Sequence, residues 1–272
     1  MSNPELIDQL QQRAKAVRRS IIASTTAAGS GHPTSSFSET EILVTLFFHV
    51  LRYDPARPDW EARDRFVLSK GHGAPGLYAV LAEAGYFPKE ELLTLRKLGS
   101  RLQGHPTPEC PGVEVSTGAL GQGLSFSIGL ALAARLKQAD WRVYTLLGDG
   151  ENHEGQVWEA AMTAAKFRLA NLTAILDYNH ISQSGTLEQI KPIEPIVDKW
   201  RSFGWNCLDV DGHNFDELLQ AFGAARAFRD GPTMVVARTI KGKGVSFLEN
   251  AMGWHGKALN QEQAEQAYEE LS

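Results

Sequence analysis

Apolar and polar positions follow two alternating patterns along the chain. An amphipathic helix is predicted over roughly Pro4 to Ala28, and a second, apolar helix from near Ser38, an N-cap residue with Glu41 three positions on. The short apolar runs RFVLS, RVYTLLG, LTAILDYN, WNCLDV and TMVVART predict strands. Between them APGLYAVLAEAGY, EELLTLRKL, GQGLSFSIGLALAARLKQ, EGQVWEAAMTAAKFRL and FDELLQAFGAARAFR predict helices, and the tail after Asn260 an acidic, exposed one. Strand–helix–strand alternation of this kind predicts an α/β fold, a three-layer parallel sheet with helices on both faces. No internal repeat, low-complexity segment or linker interrupts it, so residues 1–272 are read as a single domain.

Composition narrows the function. The apolar fraction is 43% and the charged fraction 22%, ordinary for a globular chain. A net charge of −5 points neither to nucleic acid nor to an anionic membrane surface. The most apolar stretches are too short to span a bilayer, and the polar N-terminus reads as a helix rather than a signal peptide. Cys110 and Cys207 fit neither a zinc motif nor a disulfide framework, which suits a reducing cytoplasm.

The stretch LLGDGENHEGQVWEAA, Leu146 to Ala161, carries a candidate site. It runs from a buried strand through a glycine turn into a helix, where ligands of open α/β sheets bind. Gly148 and Gly150 let backbone approach a ligand, and the helix N-terminus suits phosphate. Asp149 would repel phosphate unless a divalent cation lay between them. Such a cation takes oxygen ligands from carboxylate, amide and phosphate. Asn179, after the next strand, is placed to be the second protein ligand if the two strands are neighbours. Alone, a GDG is a turn and an Asn after a strand is a cap; the ordered combination is more specific.

Eight histidines are present. His32 and His105 (each in GHP), His72 (KGHG) and His255 (WHGK) stand beside glycine or proline, in loop settings that suit proton transfer. His49, on an apolar helix, reads as structural. His213, in DGHN, sits near the site or shapes a turn. His153 and His180 flank the GDG loop without an assigned role.

With these segments in view, the chain resembles the transketolases. GDG followed about thirty residues later by Asn is the thiamine diphosphate-binding motif. The surrounding matches are GSGHPTSS, FVLSKGHGAPGLYAVLAEAGY, STGALGQGLSFSIGLALA, GDGENHEGQVWEAA, DYNHISQSG, DGHN and KGKGVSFLENAMGWHGKAL, in family order. The resemblance is closest to the N-terminal subunits of two-chain transketolases. It implies the thiamine diphosphate-binding fold, with Asp149, the Asn179 side chain and the Ile181 carbonyl on Mg²⁺ or Ca²⁺. Gly150 would give its N–H to the diphosphate, His72 and His255 would reach the cofactor, and Gly118 and Leu120 would line its ring slot. His32, His105 and His255 would be catalytic, facing substrate hydroxyls. Glu154 matches a buried acid that couples cofactor sites across a dimer.

The implied activity is transfer of a two-carbon ketol unit from a ketose phosphate to an aldose acceptor. The chain ends soon after WHGKAL, where single-chain relatives continue, so a separate C-terminal subunit in an α2β2 assembly is expected. The alternatives are a 2-oxo acid dehydrogenase component, a deoxyxylulose phosphate synthase, or a cofactor-binding protein without activity. Asn152 and His153 in the metal loop, the PTSS after His32 and Ala119 depart from the family pattern, and none removes a metal ligand.

Overall fold

The computed structural model describes residues 3–272; Met1 and Ser2, inside the span read as one domain, lie outside the described residues. Five strands form one sheet: β1 (Arg65–Leu68), β2 (Val143–Gly148), β3 (Leu172–Tyr178), β4 (Asn206–Asp211) and β5 (Thr233–Arg238). All neighbours are parallel, in the order β1-β2-β3-β5-β4. Every residue of β1, β2 and β3 is buried. That is why these strands read as continuous apolar runs: a parallel sheet covered on both faces has no solvent side to alternate with.

Successive strand residues still face opposite layers. Leu146, Ile175 and Val235 enter one core. Their successors Leu147, Leu176 and Val236 enter the other. Helices α1 (Pro4–Ala28), α2 (Pro33–Ser38), α3 (Thr40–Thr45) and α4 (Ala74–Glu83) precede or follow β1. Then come α5 (Gln122–Leu136), α6 (Gly155–Lys166), α7 (Leu187–Ile190), α8 (Ile196–Ser202), α9 (Phe215–Ala227) and α10 (Gln261–Glu270). Ile21 of α1, Leu43 of α3, Leu77 of α4, Phe222 of α9 and Ala264 of α10 pack on the first face. Leu124 of α5, Val157 of α6 and Trp200 of α8 pack on the second. Among the described residues no helix is long and apolar enough to cross a membrane.

The structure corrects four expectations. The second helix begins at Pro33, not Ser38, and is interrupted at Glu39. Ser38 caps nothing: its hydroxyl donates to Asp177 Oδ2 at 2.6 Å. The segment EELLTLRKL makes only a short 3₁₀ turn, Lys89–Thr94, since Arg96 takes a left-handed φ of 60° that no helix continues through. Helix α10 is exposed on one side only; Ala264, Ala267 and Leu271 are buried. His49 is exposed at the end of a π-helical turn, so it holds no core together.

Candidate functional site

The loops that follow β1, β2, β3 and β5 open on the same edge of the sheet. With the segments around His32, His105–Leu120 and His255 they enclose a cleft of about 420 Å³. His32, His72, His105, Gly118, Leu120, Asp149, Gly150, Asn179, Ile181 and His255 all line it. Residues separated by more than two hundred positions are brought together because each sits at a strand or helix end on the carboxyl side of a parallel sheet.

The glycine turn is built around two acids. Gly148 pairs with Asp177 across β2 and β3, which sets the following residues side by side. The buried Asp149 carboxylate accepts from the N–H groups of Gly150 at 2.7 Å, Asn179 at 3.0 Å and His180 at 2.6 Å. Its pKa is nonetheless raised to about 6, chiefly by burial and then by the nearby Asp177 charge, against those N–H groups. The second acid, Glu151, is 1% exposed and accepts from Gly121 N–H at 2.8 Å, Gly148 N–H at 3.0 Å and the Ser69 hydroxyl. Burial raises its pKa. It ties the β1 and α5 loops to the turn. Asn152 is buried too, bonded to the Gly148 carbonyl and the Trp200 indole, so its polarity is structural.

Asn179 is held by its amide nitrogen. Nδ2 faces Asp177 Oδ2 at 3.4 Å, and Oδ1 accepts the Ile181 N–H at 3.2 Å. His180 takes a left-handed φ of 66° and stacks on Tyr178, outside the cleft lining. His153 lines the cleft rim, with Nε2 donating to the Lys191 carbonyl at 2.7 Å.

Three histidine rings meet in the cleft. The centroids of His32, His72 and His255 lie 5.0–5.3 Å apart. Burial first, then neighbouring positive groups, lowers the pKa of His32 to about 4 and of His255 to about 3. His72 is driven well down and His105 down, for the same first reason. These shifts favour the neutral form of all four rings. Nδ1 of His32 is buried without a hydrogen-bond partner. His213 lies outside the cleft lining: it accepts from Ile240 N–H at 2.8 Å through Nε2 and donates to Glu41 at 2.9 Å through Nδ1. It braces the loop after β5.

Two lysines complete the cleft that sequence reasoning passed over. Lys70, after β1, is 1% exposed. Its ammonium donates to the Ser35 carbonyl at 2.9 Å and pairs with Asp177 and with Glu39 at 3.0 Å. Burial opposes its charge, yet the two carboxylates raise its pKa, while burial lifts that of Glu39 to about 8. Lys241, after β5, donates to the Ile181 carbonyl at 2.8 Å and to His255 Nδ1 at 3.0 Å. Burial, then Lys70, lowers its pKa to about 8. The signal lay in SKGHG and KGKG, each a lysine beside glycine at a strand end. The positive charge that the GDG turn lacks thus comes from neighbouring strands.

Glu154 is exposed at the N-cap of α6 in the single chain and does not line the cleft; the buried acid of this loop is Glu151. The Gly150 N–H lies 2.7 Å from Asp149 Oδ1. The residues present fit thiamine diphosphate and a hard cation. Asp149, Asn179 and Ile181 offer carboxylate, amide and carbonyl oxygens. Among the described residues no three His, Cys, Asp or Glu side chains form a metal cluster. Gly118 has a φ of 143°, and a Cβ would lie 3.0 Å from the His105 ring, so only glycine leaves that slot open.

Comparison with known proteins agrees with this geometry. The transketolase of Pongo abelii is 47% identical over 266 residues, 97% of this chain and 42% of that protein, so the chain spans less than half of this relative. The 6-deoxy-6-sulfo-D-fructose transketolase subunit SqwG of Clostridium sp. (strain MSTE9) is 44% identical over 263 residues, 96% of each. The crystal structure of transketolase from Campylobacter jejuni superposes with a TM-score of 0.92 at 32% identity, covering 99% of this chain and 43% of that one. The family model described as transketolase, thiamine diphosphate binding domain, matches residues 9–272, and the chain belongs to that family.

Proposed function

We propose that residues 1–272 form one diphosphate-binding domain, the N-terminal subunit of a thiamine diphosphate-dependent transketolase. It moves a two-carbon ketol unit from a ketose phosphate to an aldose acceptor. One observation carries this reading: a cleft that sets the buried Asp149 carboxylate, an amide oxygen and a main-chain carbonyl beside four histidine rings. Asp149, Asn179 and Ile181 would hold Mg²⁺ or Ca²⁺, and Lys70 and Lys241 form the positive wall behind them. Gly118 and Leu120 would shape the ring slot, and the half-buried His72 packs against the His32 and His255 rings.

Bound thiamine diphosphate supplies the carbanion chemistry that breaks and remakes carbon–carbon bonds. The chain's own part is to handle protons. His32 lines the cleft, where its ring would face a sugar hydroxyl. An ammonium has only donors, so His255 Nδ1 accepts from Lys241 and its hydrogen sits on Nε2, from which it would donate a hydrogen bond to a substrate oxygen. His105 forms the wall beside Gly118. A neutral ring with a free nitrogen can accept a hydrogen bond from a substrate hydroxyl, which is the part His32 and His105 would play.

The partner reading is supported by the subunit SqwG, whose whole length this chain nearly matches. Exposed Phe126 and Leu136 on α5 and Met162 on α6 offer apolar area for an α2β2 assembly. Both cysteines are buried free thiols, in keeping with a reducing cytoplasm. The test is a ketol-transfer assay with a ketopentose phosphate and an aldose phosphate, run with and without a C-terminal transketolase subunit. Cofactor-dependent transfer only in the pair supports the proposal; pyruvate oxidation, or full activity of this chain alone, overturns it.

A further inference from the structure

Lys241 is fixed in place from both sides. The preceding Ile240 N–H donates to His213, the Lys241 carbonyl accepts from Asn250 at 2.8 Å, and the following Gly242 N–H donates to Thr34 at 3.0 Å. Gly242 has a φ of 80°, and a Cβ there would fall 2.2 Å from the Leu248 carbonyl oxygen. The loop backbone therefore cannot swing, and Lys241, 3% exposed, keeps its ammonium in the cleft. There it rests on two uncharged acceptors, the Ile181 carbonyl and His255 Nδ1. The same carbonyl belongs to the oxygen set read above as the metal site. Two cations on one carbonyl oxygen repel strongly in a buried cleft.

We propose that Lys241 and the divalent cation compete for the Ile181 carbonyl, so that Lys241 is a positioning residue which limits metal binding until an anionic ligand draws its ammonium away. The inference rests on the metal reading of Asp149, Asn179 and Ile181. It makes metal and diphosphate cooperative: either alone must break the ammonium–carbonyl bond, and together they break it once and share the cost. A residue that only supported the fold would, on removal, weaken every ligand alike. Lys241 should instead act with opposite signs on metal and on diphosphate.

The test uses the purified chain and Mn²⁺ alone, followed by electron paramagnetic resonance. Lys241→Met should tighten Mn²⁺ binding by about tenfold, while Lys241→Arg, which keeps the charge, stays near wild type. At saturating Mn²⁺ the same Met variant should bind thiamine diphosphate more weakly. Lys241→Gln, which keeps a neutral donor to the carbonyl, serves if the Met variant does not fold. Unchanged or weaker Mn²⁺ binding without the charge overturns the proposal, provided Asp149→Asn abolishes that binding. Mn²⁺ binding that survives Asp149→Asn places the metal elsewhere and removes the metal reading and this inference together.

Discussion

The Asp149 carboxylate accepts the main-chain N–H of Asn179, at 3.0 Å, across the ends of neighbouring strands. The parallel register of β2 and β3, with Gly148 opposite Asp177, sets that distance. The two residues best placed to hold a cation are therefore positioned by sheet hydrogen bonds rather than by a loose loop. Strand ends of this kind are more rigid than loops, which suits a site that must orient its ligands.

His32 and His105 differ in surroundings but share a predicted outcome. His32 is one of three clustered rings, and His105 packs beside Gly118. Alanine at either should lower turnover by about a hundredfold or more. Affinity for thiamine diphosphate should stay near wild type, because neither ring belongs to the metal set. Steady-state kinetics beside calorimetry checks this. A variant with normal turnover would make that ring structural, and one that loses the cofactor would move it to the cofactor wall.

Glu39 and Gly73 are expected to be energetically coupled. A Cβ on Gly73 would lie 2.5 Å and 2.6 Å from the two Glu39 oxygens. Gly73→Ala should cost about 1–3 kcal/mol through this overlap. Removing the carboxylate in Glu39→Ala frees the space and leaves Lys70 its pair with Asp177. In the double variant the alanine at 73 should cost far less, a coupling of about 1 kcal/mol or more. Denaturant unfolding of the four proteins measures it, and additive costs would show that Gly73 does not exist to accommodate Glu39.

The five strands and their parallel direction were legible because short apolar runs alternating with helical patterns carry the signal locally. Asp149 and Asn179 were legible because each ends a strand. The failures have a common cause: they depended on contacts between distant segments. Ser38 reads as an N-cap in isolation, and its hydroxyl goes instead to Asp177 on another layer. Lys70 and Lys241 look like solvated loop lysines until the sheet turns both inward. Glu151 looks like one more solvated acid of a polar loop until the Gly121 and Gly148 N–H groups converge on it. His213 could not be assigned from DGHN alone, since its partners Glu41 and Ile240 lie far along the chain.

Acid sensitivity should report the Arg18–Glu41–His213 cluster. Arg18 grips both Glu41 oxygens, at 2.7 and 2.8 Å. Burial alone would raise the Glu41 pKa. The Arg18 charge and the hydrogen bonds from His213 and Arg18 outweigh it and hold the group at about 2, against an ordinary 4.5. The folded value lies below the unfolded one, so the stabilisation is present above about pH 4.5 and is lost as pH falls toward 2. It amounts to about 3 kcal/mol. Glu41→Gln should be less stable than wild type at pH 7, and its stability should fall less between pH 6 and pH 3. Urea unfolding across that range decides; parallel pH curves for the two proteins would contradict the assignment.

The central claim is that the acidic glycine turn holds a cation and the cation holds a diphosphate. Asp149→Asn tests it most directly, since the amide keeps the size of the side chain and one acceptor oxygen, enough for the Asn179 and His180 N–H groups, but removes the charge and the oxygen that accepts from Gly150. The measurement is calorimetric titration of thiamine diphosphate into the chain assembled with its C-terminal partner, with Mg²⁺ and with a chelator. Wild type should bind only with Mg²⁺, and Asp149→Asn should lose at least tenfold in affinity with Mg²⁺ while its melting curve stays cooperative. Equal affinity of the two proteins in Mg²⁺, or binding by wild type that ignores the chelator, would contradict the account.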